Sequence, residues 1–99
     1  MFIEKSINSK YSEEIKKITS SGYSNISLVE IKPNLDTDFH THDFDAYAMV
    51  VKGKFILNTN QKKHILKPGD FLAVNSKQLH SEKTYSQGAT ILLGKRYKN

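Results

Sequence analysis

The sequence predicts an all-β chain, a single antiparallel β-barrel with one short N-terminal helix, and three observations carry that expectation. Ninety-nine residues leave room for one hydrophobic core and no second. From Asn25 onward, short β-rich runs follow one another at close intervals between turn signals, the pattern of a sandwich or barrel. No long helical stretch separates those runs, which argues against parallel βαβ architecture. Residues 1–24 are expected to be an N-terminal segment packed on the barrel and residues 25–99 the barrel itself, together one domain.

The elements follow in order. Between Ser9 and Ser20, Tyr11, Ile15 and Ile18 fall at helical spacing and Glu13 precedes Lys17 by four residues, so one short amphipathic helix is expected, with Gly22 ending the turn after it. Candidate strands run Asn25 to Lys32, Asp36 to His42, Ala46 to Lys52, Lys54 to Thr59, Lys63 to Leu66, Phe71 to Val74, His80 to Tyr85 and Ala89 to Lys95. Gly53 reads as a hairpin turn, and Asn58-Thr59-Asn60-Gln61 and Lys67-Pro68-Gly69-Asp70 as the next reversals. No internal repeat or low-complexity tract interrupts them. Leu28-Val29 and Ile65-Leu66 place apolar groups on both faces of a strand, which suggests that outward residues are covered too, as in a homodimer.

Composition excludes several classes of function. With no cysteine, disulfides, thiolate metal sites and cysteine nucleophiles are ruled out, so any metal must take nitrogen and oxygen ligands. The opening Met-Phe-Ile-Glu-Lys breaks its apolar run too early for a signal peptide, and no stretch reaches membrane-spanning length; a cytoplasmic protein with no membrane partner is expected. The formal charge of +5 raises the question of nucleic acid. Fourteen of the fifteen basic residues are scattered lysines and Arg96 is the only arginine, so the bidentate fork that reads bases is nearly missing and no nucleic-acid partner is expected.

Three of the four histidines carry the chemistry. In His40-Thr41-His42, strand alternation puts both imidazoles on one face, near enough to share a cation. The frame around them resembles the two motifs of the cupin superfamily. The first motif, glycine, five residues, HxH, three or four residues, glutamate, six residues and glycine, appears from Asn34 through His40, His42 and Ala46 to Gly53. The second runs from Gly69 to His80, with Asn75 and Lys77 where the motif has proline and glycine. The resemblance implies a jelly-roll barrel in which His80 joins His40 and His42 on one divalent metal ion: zinc, iron, nickel, copper or manganese.

The main departure is Ala46, which stands where most metal-binding cupins place a glutamate ligand, so the site resembles the three-histidine arrangement of some thiol dioxygenase cupins. Asp45, one position earlier, is a candidate fourth ligand, and Tyr47, at the alternative glutamate spacing, a candidate catalytic acid. Phe44, Tyr47, Met49, Phe55, Leu57 and Leu72 are candidate pocket residues, with Phe44 and Met49 offered as substrate contacts. Arg96 could hold a carboxylate, either a substrate's or that of Asp43 or Asp45. His64 falls outside both motifs and gets no role. Two functions remain open: a metal-dependent enzyme on a small polar molecule, of dioxygenase, isomerase or lyase type, and a non-catalytic small-molecule-binding or sensor cupin with or without a metal.

Overall fold

A computed structural model describes residues 2–5 and 9–97, with side chains from residue 10 onward. In chain order the elements are β1 (Phe2–Lys5), a 3-10 turn (Ser9–Tyr11), α1 (Ser12–Ser20), β2 (Ser24–Ile31), β3 (Asp45–Thr59), β4 (Lys63–Leu66), β5 (Phe71–Val74) and β6 (His80–Arg96). Every pairing is antiparallel, in the order β1-β2-β6-β3-β4, with β5 also on β3. The sheet curls into a barrel without closing its ladder. No helix among the described residues is long and apolar enough to cross a membrane.

One expected reversal is absent and two pairs of expected strands merge, because β3 and β6 are continuous. The expected strands Ala46 to Lys52 and Lys54 to Thr59 are one strand, and Gly53 is a bend within it, not a hairpin turn. Register shifts bracket the bend, between Val50 and Lys52 and between Gly53 and Phe55. Gly53 has φ +80°, and a Cβ there would run into the Gly88 carbonyl on β6. A side chain would strain the backbone and push the two strands apart, so the bend requires glycine. Likewise His80 to Tyr85 and Ala89 to Lys95 merge into β6.

The expected strand from Asp36 to His42 is also corrected. That segment forms no continuous ladder with β6, only two isolated bridges, Asp36 with Lys83 and His40 with His80. Beside Glu82 a side chain replaces part of the ladder: the Glu82 N–H donates to the Thr37 hydroxyl (2.9 Å) while the Thr37 N–H donates to the Glu82 carbonyl (3.0 Å). β1, in the N-terminal segment where only a helix was expected, pairs along β2.

The bend decides which side chains face inward. Ala46, Ala48 and Val50 point into the barrel, and the register shifts reset the parity so that Phe55 and Leu57 join them. Val29, Ile31, Val74 and Ile91 complete this inner core. The opposite face carries Tyr23, Tyr47, Met49 and Leu92 and is covered by α1 through the fully buried Ile18, with Leu28 packed at its margin. The outward apolar group at Leu28 is therefore covered within the chain. Gly94 lets the helix approach: a Cβ there would sit 2.6 Å from Ile18 Cγ2.

Candidate metal centre

Two segments distant in sequence bring four donor side chains together. His40 and His80 face each other across a pair of backbone hydrogen bonds, His40 N–H to His80 O (2.8 Å) and His80 N–H to His40 O (3.0 Å). His42, two residues on, shares the face of His40, and Glu82 shares the face of His80. The three imidazole centroids lie 4.6–5.1 Å apart. Glu82 Oε1 lies 3.6 Å from His40 Nε2, and its Oε2 lies 3.8 and 3.4 Å from His42 and His80 Nε2.

Backbone carbonyls set the tautomers. His40 Nδ1 lies 2.7 Å from the Asp38 carbonyl and His80 Nδ1 lies 2.9 Å from the Gln78 carbonyl. A carbonyl only accepts, so each Nδ1 carries the proton and each Nε2 turns a lone pair toward the cluster. The electrostatics are shared unevenly. The hydrogen bond with Glu82 raises His80 above the usual histidine value despite its burial. Burial, reinforced by the His80 charge, lowers His42. Glu82 would be raised by its own burial, but the bond to His80 and the fields of the three imidazoles outweigh that and hold it below the usual carboxylate value.

The donor set fits a divalent cation. The Nε2 to carboxylate separations of 3.4–3.8 Å are longer than the roughly 2.7–2.9 Å of a strong charge-assisted hydrogen bond, so the His80–Glu82 pairing is a weak one. Ligand atoms each about 2.0–2.2 Å from one ion stand roughly 3–3.6 Å from their neighbours, and the four donors lie within 4.8 Å of one another. Three neutral imidazoles and one carboxylate suit zinc, iron, nickel, copper or manganese.

Beside the cluster opens a cavity of about 260 Å³, walled by Val29, Ala48, Phe55, Leu57, Leu72 and Ile91 and bordered by His42, His80, Glu82, Phe44 and Lys95. The Cupin domain family model matches residues 27–93, on a fold and a site already of that kind. The chain belongs to the cupin family. No curated protein matches it. Among solved structures, a cupin superfamily protein from Desulfitobacterium hafniense aligns with a TM-score of 0.70 at 14% identity, over 99% of this chain and 79% of that one. KdgF from a Halomonas species aligns at 0.60 and 21%, over 74% and 69%. The DMSP lyase DddQ from Ruegeria pomeroyi aligns at 0.65 and 22%, over 72% of this cupin but 36% of that chain. At such identities the likeness concerns the fold.

Several expected roles in this cupin are corrected by placement. Asp45 is not a fourth ligand: it faces the opposite side of β3, 1% exposed, where its Oδ2 accepts from Arg96 Nε (3.3 Å) and Nη2 (3.1 Å) and its Oδ1 from the Ser76 N–H (2.7 Å). Arg96 is thereby committed to Asp45 and lies over the Tyr23 ring, so it is not the substrate's carboxylate holder. Tyr47 and Met49 belong to the outer cluster under α1, where Tyr47 stacks on Phe71, and neither reaches the cavity as catalytic acid or substrate contact. Phe44 does line the cavity, stacked 4.9 Å from His42. Ala46 faces the cavity as a small wall residue, and Glu82 supplies the carboxylate from another strand. That role was missed although His80-Ser81-Glu82 repeats the spacing of His40-Thr41-His42.

Proposed function

We propose that this cupin is a metal-dependent enzyme in which His40, His42, His80 and Glu82 hold one divalent ion at the polar end of the barrel cavity, and that it acts on a small molecule seated in that cavity. The observation that carries the reading is the pair of Nδ1 bonds to the Asp38 and Gln78 carbonyls, which fix two Nε2 lone pairs on a common point beside Glu82. A bound ion there supplies Lewis acidity or an oxygen-activating centre, the chemistry of dioxygenase, isomerase or lyase reactions. The chain's own groups do the rest. The apolar walls exclude water and strengthen every charge at the polar end, and the short Ala46 side chain leaves room beside the histidines. The expectation of a small polar molecule is narrowed by those walls to one with an apolar body and a polar group at one end.

Elemental analysis of protein purified without chelators, then reloaded with zinc, iron(II) or manganese(II), tests the reading. One ion per chain is expected in the wild type. His80→Ala should hold little metal while keeping the sheet spectrum. A wild type that takes up no ion, or a His80→Ala variant that keeps a full equivalent, would refute it.

A further inference from the structure

The inward row of β6 ends in a charge. Ile91, Leu93 and Lys95 all line the cavity, and among the described residues Lys95 is the only lysine or arginine to do so. Its partner across the ladder is Ala46, too short to meet it. Its ammonium rests 4.8 Å from the centre of the Phe44 ring, which in turn stacks on His42, so one aromatic ring separates this cation from the metal centre. Among the described residues, no carboxylate lies within ion-pair distance of Lys95.

The charges at this end do not balance. A divalent ion with Glu82 and three neutral imidazoles leaves one positive charge, and Lys95 adds a second, against walls that are otherwise apolar. Positive charge beside apolar surface favours an anion, and the described residues offer none within ion-pair distance of Lys95. A phosphate dianion needs several converging donors, whereas a single ammonium suits a carboxylate monoanion. We propose that the cavity takes a small carboxylate with a compact aliphatic body, its carboxylate paired with Lys95 at the end of the cavity that borders the metal centre and its body against Val29, Phe55, Leu57 and Ile91. The metal half of this rests on the function proposed above; the Lys95 half does not.

Calorimetric titration of zinc-loaded protein with 3-methylbutanoate, 3-methylbutan-1-ol and inorganic phosphate tests it, with the zinc content of each sample read in parallel. The carboxylate is expected to bind at least ~10-fold more tightly than the alcohol or phosphate. Lys95→Met should weaken the carboxylate by about 10-fold, leave the alcohol unchanged and retain full zinc, while Lys95→Arg should restore most of the difference. Equal binding of acid and alcohol, a preference for phosphate, no binding at all, or a Lys95→Met variant that binds the acid like the wild type would each overturn the inference while the metal centre stands. Carboxylate binding that depends on Lys95 in protein that holds no zinc would instead refute the metal centre and leave the anchoring role intact.

Discussion

Glu82 lifts His80 above the ordinary histidine value of 6.5 while burial pushes His42 below it, although both belong to one cluster. In metal-free protein, acidification should therefore protonate His80 first, above pH 6.5, and His42 only below it, as ring carbon shifts in a two-dimensional NMR titration would record. The opposite order would contradict the Glu82 pairing. Because an imidazole binds metal only through an unprotonated nitrogen, metal affinity is expected to fall as pH falls, with the loss beginning above pH 6.5 at His80. Glu82, held below its usual 4.5, stays ionised through that window and adds nothing to the slope. Glu82→Gln should weaken metal binding by roughly 10- to 100-fold at neutral pH, measured by competition with a chelating dye. An unchanged affinity would remove Glu82 from the donor set. The three histidines were legible because two motif registers point to them, and Glu82 was not because the motif places its carboxylate at Ala46 on β3, whereas this chain brings one from β6. Lys77 shows how a departure is absorbed: it stands at a motif glycine and adopts φ +68°, as Asn34 adopts +59°.

At the scale of elements, the helix and most strands could be read from periodicity, whereas the two long strands could not. Gly53 looks like a turn locally and the β-rich run breaks between Tyr85 and Ala89, and only the close approach of Gly53 to Gly88 makes the two places one bend. Gly53→Ala is expected to destabilise the fold by about 2–4 kcal/mol, from left-handed strain plus the clash with Gly88, seen as a lowered urea midpoint. A variant as stable as the wild type would mean the strands need no such approach. Ile18 tests the other face. It is fully buried where α1 meets the outer side of the sheet, so Ile18→Ala should cost about 2–4 kcal/mol yet leave metal content intact, because the donors lie on the inner side. Loss of metal in a folded Ile18→Ala variant would contradict that separation of faces.

Across the whole molecule, an ion pair on the buried Asp45 carboxylate joins three stretches of chain. Asp45 at the start of β3 holds Arg96 at the end of β6 and the Ser76 N–H of the loop that leads through Gln78 to His80. Arg96→Met would remove the two guanidinium hydrogen bonds from a carboxylate that is 1% exposed, while the arginine it replaces is itself 45% exposed, so a loss of about 1–3 kcal/mol is expected by urea unfolding. A neutral result would mean the pair holds nothing together. This role was half visible in the sequence, which offered Asp45 among the partners of Arg96 but could not say which face of β3 it occupies, since parity depends on where the strand begins. The cavity's apolar character was hidden for the same reason: it comes from both halves of a bent sheet. The metal centre itself is tested most directly by anomalous diffraction from crystals of metal-loaded protein, recorded on both sides of the metal's absorption edge. A single peak is expected among His40 Nε2, His42 Nε2, His80 Nε2 and the Glu82 carboxylate, with roughly 2.0–2.2 Å to each donor. No peak there, or a peak only elsewhere on the chain, would contradict it.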